Sequence, residues 1–384
     1  MAYHIINING CERIRRLPML FKVAKRSVLA LTAAAALVVA GGTATAADFA
    51  GKTVNMIIPF RAGGGTDVWA RFFATEVVKN LPGNPELSIK NVPGGGSITG
   101  TNQFEKLARP DGLTTIAISG STQLAKLLDD PRVQYDYGKW KAIVASPTGG
   151  LVMVRSDVGA KTVKDLAGKP LKFASQPANS LDLVALLAFD LLKLDVQPMF
   201  GIKGRNDGRV ALEKGEASLD YQTTSAVLEQ ATKSLLDSGT AVPLFSFGIR
   251  GPGGKIQRDP AFPNVPSMVE AYEMIHGKPP SGPDWEAYIA VYDLSFGMQK
   301  MICLPPETPD DIVADYEKAM ATTLSNPEFK AKAAAELGDY PQLQAKAATE
   351  ALQRGAAISQ EAKRWVQGWL KDKYGITPGT EVNN

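Results

Sequence analysis

The chain has 384 residues, with 42 Lys/Arg against 39 Asp/Glu, two Cys and two His. That length exceeds what one hydrophobic core normally organises, so two domains are expected. The composition is ordinary globular; no clustered basic face points to nucleic acid, and so few His leave no room for a His-based zinc site.

The first 46 residues read as an export signal. Arg13, Arg15, Arg16, Lys22, Lys25 and Arg26 form a positive segment, Val28 to Ala40 is apolar, and Ala44-Thr45-Ala46 is a small-x-small cleavage signal before Ala47. The apolar stretch is 13 residues, too short for a bilayer span of about 20. Met19 offers an alternative start, and the absence of Cys at the cleavage point argues against a lipoprotein. Residues 1–46 hold six Lys/Arg and one Glu, so their removal takes 42 and 39 to 36 and 38, a net charge of −2. It also leaves Cys303 and His276 as the single Cys and His, which forbids an intramolecular disulfide and gives a Ser-His-Asp hydrolase one possible base.

Strands and helices then alternate. Val54 to Ile58 is a strand, followed by a Gly-rich turn and a helix from Val68 to Asn80 with Trp69, Phe72, Phe73 and Val77 on one core face. Leu87–Asn91, Ile98–Ala108, Thr114–Ser119 and Thr122–Leu128 continue as strand, helix, strand, helix. Two extended pieces lie within Ala142–Val154, around Pro147-Thr148-Gly149-Gly150. Leu171–Ser175, Ser218–Gln222 and Val242–Ser246 read as strands; Leu181–Leu194, Arg209–Lys214 and Ala226–Leu236 read as helices. Gly277–Asp284 reads as a loop, and the tail as amphipathic helices over Asp310–Leu324, Pro327–Leu337 and Thr349–Tyr374. The alternation predicts an α/β fold of mostly parallel sheets flanked by helices.

In such sheets ligands sit beyond the carboxyl ends of strands. Four loops there are small and polar: Arg61 to Asp67, Ser119 to Thr122, Ser175 to Ser180, and Gly204 to Asp207. Within them Arg61, Gly64, Gly65, Thr66, Asp67, Ser119, Ser121, Thr122, Ser175, Gln176, Asn179, Ser180, Gly204 and Asn206 are the candidate ligand-binding residues. Thr66 or Asp67, Ser121, Asn179 or Ser180, and Asn206 also read as helix caps. Converging helix starts offer open N–H groups and partial positive charge to an anion. Glycine lets the backbone approach a ligand, and Arg61 can add a charged contact. No catalytic group is expected: neither dinucleotide nor P-loop spacing occurs in the Gly run, and Ser119-Gly120-Ser121 lacks the G-x-S-x-G elbow.

Five segments in order resemble the substrate-binding proteins of tripartite tricarboxylate transporters, the Bug family. They are Ile57–Phe60 with Gly63–Asp67, Asn91–Ile98, Ala108–Thr114, Pro263–Glu270 and Pro305–Pro309. The resemblance implies a periplasmic two-lobe Venus-flytrap receptor. Its ligand would be a mono-, di- or tricarboxylate or an aromatic relative, gripped by Gly63–Asp67 in one lobe and Ser175–Ser180 in the other, with Gly204–Asp207 nearby. Arg61-Ala62, the polar Arg205-Asn206-Asp207 and an apparent insertion at Gly277–Val291 depart from the pattern.

The expected organisation is a cleaved signal (1–46), lobe 1 from 47–148 plus 242–384, and lobe 2 from 149–241, with hinges near Thr148–Gly150 and Thr240–Val242. The expected function is capture of a small carboxylate in the periplasm by a monomeric, non-enzymatic receptor without cofactor or metal, for membrane transporter subunits. A ligand-sensing partner of a membrane sensor kinase is the second reading, and a periplasmic hydrolase of a carboxylate ester or amide the third. Terminal sequencing of the exported protein is expected to begin at Ala47; a start upstream of Val28 would refute the signal reading.

Overall fold

The computed structural model describes residues 49–251, 255–356 and 359–377. The expected signal and its cleavage site lie outside the described residues. The first half runs β1 (Thr53–Ile58), α1 (Gly65–Lys79), β2 (Glu86–Asn91), α2 (Ile98–Leu107), β3 (Thr114–Ser119), α3 (Gly120–Leu127) and β4 (Lys141–Ser146). It continues through β5 (Gly150–Arg155), β6 (Leu171–Ser175), α4 (Asp182–Leu191), β7 (Val196–Phe200), α5 (Arg205–Lys214) and β8 (Leu219–Thr223). A short α6 (Thr224–Ala226) passes into a π-helix (Val227–Asp237), followed by β9 (Ala241–Ser246) and the two-stranded ribbon β10 (Ile249–Arg250) and β11 (Ile256–Gln257). Then come α7 (Met268–His276), α8 (Pro283–Ser295), β12 (Lys300–Leu304), α9 (Asp310–Ser325), α10 (Pro327–Leu337), β13 (Leu343–Gln344), α11 (Ala345–Gly355) and α12 (Gln360–Tyr374).

Two large sheets result, ordered β13-β4-β12-β3-β1-β2 and β7-β6-β8-β5-β9. They are mixed rather than mostly parallel. In the first, β1 is parallel to β2 and β3, while β12 runs against both β3 and β4 and β13 runs against β4. In the second, β6 is parallel to β7 and β8, while β5 runs against β8 and β9. The reversed inner strands, β5 and β12, are the first strands the chain lays down on entering each sheet from the other. Without a preceding crossover helix in their own sheet, they are free to enter antiparallel.

Side-chain alternation places a core on each face of the first sheet. Val54, Met56 and Ile58 pack with Trp69, Phe73 and Val77 of α1 and with Phe329 of α10. Ile57, Ile116 and Ile118 point the other way, onto Phe104, Trp140 and Leu352. Phe72 is partly buried, its ring centroid 4.9 Å from that of Phe329. In the second sheet Phe173 and Tyr221 meet the buried faces of α4 and α8.

Four expectations change. β9 spans Ala241–Ser246 and pairs with β5 in the second sheet, although residues from 242 onward were expected in lobe 1; the next strand to join the first sheet is β12. The segment at 277–291 carries most of α8, whose Tyr288, Val291 and Tyr292 are buried in the core, so it is an integral layer. Thr349–Tyr374 is two helices, because Ser359 accepts a bond from Ala362 N at 3.1 Å and starts α12 anew. The strands β7 and β12 and the helix α7 are additional. Pro198 is tolerated in β7 because that strand lies at the sheet edge. β12, buried throughout, has no alternation to betray it.

Gly100 allows α2 to approach the end of β1: a Cβ there would stand 2.5 Å from Val92 O and 2.9 Å from Pro59 Cα. Gly100→Ala is expected to destabilise by about 1–3 kcal/mol, as overpacking does. Gly368→Ala, on a helix with nothing within 4 Å of the new Cβ, is expected to stabilise by about 0.4–1 kcal/mol. Denaturant unfolding of the two variants measures both.

Candidate functional site

The carboxyl ends of β1 and β3 in one sheet face those of β6 and β8 in the other across a narrow cleft. The loop after β1 supplies Arg61, Gly64, Gly65 and Thr66; Ser119 and Ser121 follow from the end of β3. The opposite wall has Gln176 after β6, and Gly204 and Asn206 at the start of α5. Nine of the candidate residues are thus brought together.

The helices begin earlier than their sequence signals indicate, which moves their free N–H groups to the cleft. α1 starts at Gly65 with Gly64 as an N-cap that contributes no side-chain bond, and α5 starts after Gly204 in the same way. The open first turns therefore present partial positive charge. At α3 the cap is Ser119, whose Oγ accepts from Ser121 N at 3.3 Å.

Asp67, Thr122, Ser175, Asn179 and Ser180 do not line the cleft. The Asp67 carboxylate turns back from α1 and accepts from Gly63 N (2.9 Å), Arg71 Nε (2.9 Å) and Asn91 Nδ2 (2.8 Å). Asn91 also donates to Phe60 O at 2.9 Å, so the second sequence signature serves to pin the Gly-rich loop. Thr122 Oγ1 meets Ser97 Oγ at 2.9 Å within the first lobe. Ser175 Oγ donates to Gln176 O at 2.9 Å, and Ser180 Oγ accepts from Asp182 N at 3.3 Å. Asn179 Nδ2 reaches Asp130 at 2.5 Å. Burial works against the ionised form of Asp130, but the hydrogen bonds and charge of Arg132 outweigh it and hold the carboxyl below its usual value.

Sequence reasoning missed Phe60, Leu181, Arg205, Thr223 and Gln299, all of which line the cleft. Thr223 ends β8 and was accessible to the same strand-end rule. Gln299 precedes β12, which had no sequence signal. Arg205 does not offer free charge: its guanidinium pairs with Asp182 at 2.9 Å and with Asp220, lies over the rings of Phe173 and Tyr221, and donates to Ala174 O at 2.8 Å. Asp182 in turn accepts from Gln176 N at 2.7 Å, so this buried cluster holds the Gln176 loop in place. Burial beside Asp182 pushes the Tyr221 phenol well above its usual pKa. No carboxylate side chain lines the cleft; at its rim the exposed Arg61 stands 3.7 Å from Asp207.

The lobes are drawn together. Ser121 Oγ accepts from Leu181 N at 2.9 Å, Gln230 Nε2 donates to Gly63 O at 2.5 Å, and Ser225 Oγ donates to Gly65 O at 3.3 Å. The remaining cavity is about 40 Å³, room for a few waters. Gly63 needs glycine for its φ of +77°. Gly65 needs it for another reason: a Cβ would overlap Thr223 Oγ1 and lie 3.2 Å from Ser225 Oγ on the opposite wall.

The fold and the cleft at its strand ends define a two-lobe periplasmic-binding-protein architecture. The periplasmic binding protein BugD superposes with a TM-score of 0.63 at 21% identity, over 83% of this chain and 97% of that one. MatC from Rhodopseudomonas palustris with bound malate gives 0.61 at 21% over 82% and 97%, and an R. palustris protein with adipate gives 0.62 at 20% over 85% and 98%. No family model matches the chain. By sequence it is 28% identical to a UPF0065 protein of Bordetella pertussis, over 79% of this chain and 86% of that one, and 28% identical to Protein BugT of the same organism over 59% and 68%. These relatives and structures support the Bug-family resemblance carried by the five motifs.

Gly65→Val is expected to hold the lobes apart, because its branches collide with Thr223 and Ser225. Small-angle scattering should report a larger radius of gyration than for wild type, and Thr66→Ala, which removes only a hydroxyl, should report none. Equal scattering from Gly65→Val and wild type would show that this contact does not limit closure.

Proposed function

We propose that the protein is a periplasmic solute-binding receptor that closes two lobes over a small dicarboxylate and presents it to membrane transporter subunits. The observation that carries this reading is the pair of uncapped helix starts, α1 at Gly65 and α5 at Arg205, opening into one cleft that no acidic side chain lines. Such a cleft favours an anion through backbone donors and helix ends, with Thr66, Ser119 and Thr223 supplying hydroxyls. Gln299 Oε1 is buried without a hydrogen-bond partner, so it suits a ligand that also carries a donor, or a bridging water. The malate and adipate held by structural neighbours are dicarboxylates, in keeping with a second anionic group reaching Arg61 at the rim.

The movement required is a hinge. We assign the first lobe to the sheet containing β1 and the second to the sheet containing β6, with crossings at Pro147–Gly149 and Phe296–Gln299. Thr148 N donates to Phe296 O at 3.0 Å, so the two crossings lie side by side, as a closure about a few residues needs. Catalysis finds no support: His276 stands at the end of α7, its Nε2 2.9 Å from Leu191 O and its ring against Tyr272, and the structural neighbours are binding proteins.

A thermal-shift screen of purified protein tests the ligand class. A ligand at 100 times its Kd stabilises by about 2.7 kcal/mol, so dicarboxylates should raise the melting temperature and sugars should not; the reverse outcome would sink the proposal. For the best dicarboxylate, Arg61→Ala should weaken binding by about 1.5–3 kcal/mol if Arg61 bonds a carboxylate. For a monocarboxylate the same change should cost at most about 1 kcal/mol, the scale of an exposed ion pair. Calorimetry on wild type and variant separates the two.

A further inference from the structure

A second cavity, of about 340 Å³, is lined in part by Trp69 and Phe73 of α1 and shares no lining residue with the cleft. One wall is apolar, built from Trp69, Phe73, Phe329 and Leu337. The other carries Ser146 and Lys300. Lys330 and Asp339 also line it and are exposed, so the charges at its mouth offset one another and the unbalanced charge is inside. Its volume falls in the range of small-molecule sites, and its apolar walls with a few convergent polar groups match their usual make-up.

Lys300 is the buried cation of this cavity. It begins β12 with 1% exposure, and its ammonium has one hydrogen-bond partner among the described residues, Ser225 Oγ at 2.5 Å. An ammonium has three donors, and a buried cation is costly unless a counter-ion is supplied. Burial alone, with no nearby carboxylate to offset it, lowers the Lys300 pKa to about 7. Asp259, which does not line the cavity, is held by the Tyr340 hydroxyl at 2.8 Å and by Thr224 at 3.1 Å.

We propose that this cavity is a second ligand site, taking a monocarboxylate with an apolar tail or ring, its carboxylate paired with Lys300 and its body against Trp69, Phe73 and Phe329. The carboxylate supplies the missing counter-ion, and the tail replaces water on the aromatic wall. The site is not isolated from the cleft: Lys300 donates to Ser225, and Ser225 donates to Gly65 O. An occupant that draws the ammonium toward itself acts on a contact that bridges the lobes.

Hexanoate is the probe, titrated by calorimetry into wild type, Lys300→Met and Ala334→Trp. Methionine keeps an unbranched side chain without the charge. Ala334 lines the cavity on the partly exposed face of α10, where tryptophan fills the space without entering the core. Wild type is expected to bind hexanoate but not hexanol or hexylamine, and both variants, with melting curves showing an intact fold, are expected to bind at least tenfold more weakly. Absence of hexanoate binding in wild type, or retention of wild-type affinity in either variant, would overturn the proposal. Neither residue lines the cleft, so a cleft that takes no carboxylate leaves this result unaffected.

Discussion

Each large sheet contains an inner strand that runs against its neighbours, and that strand is where the chain enters from the other sheet. β5 enters the second sheet between β8 and β9; β12 returns to the first between β3 and β4. The chain leaves the second sheet from its edge strand β9, yet the segments leading into β5 and β12 lie next to each other, Thr148 N donating to Phe296 O at 3.0 Å. The hinge proposed at these crossings therefore lies beside the cleft.

Within that frame the cleft acquires its character from where acids are sent. Asp67 sits in the first turn of α1, where it is well placed to cap the helix and to repel an anion. Instead it accepts from Gly63, Arg71 and Asn91, which leaves the first-turn N–H groups open and compensates its charge with Arg71. Asp182 and Asp220 are likewise spent on Arg205 behind the second wall. The result is a surface of backbone donors, hydroxyls and amides over two ionic supports, one of them fully buried.

Lobe closure links these parts. Two of the bridging bonds come from side chains that sequence analysis takes as ligand contacts, Ser121 to Leu181 N and Asn179 to Asp130, and a third joins Ser225 to Gly65 O. A glycine at position 65 is demanded by the opposing lobe and not by its own backbone angles, since its φ is not positive.

Much of the architecture was legible because it rests on local periodicity. The strands Thr114–Ser119 and Leu171–Ser175 and the helix Pro327–Leu337 stand at the residues where pattern placed them, and the Gly-rich loop after β1 does line the cleft. These features follow from alternation, helical spacing and turn chemistry, which act over a few residues. What only the tertiary structure decided depends on groups far apart in the chain. β9 joins the second sheet because β5 offers it a partner; β12 is uniformly buried and shows no period; Asp67 and Asn179 face away from the cleft because Asn91 and Asp130 compete for them. The burial of Lys300 without a carboxylate belongs to the same class. A lysine reads as a surface residue in sequence, and only the meeting of β12 with α1 and the second lobe takes its charge out of water.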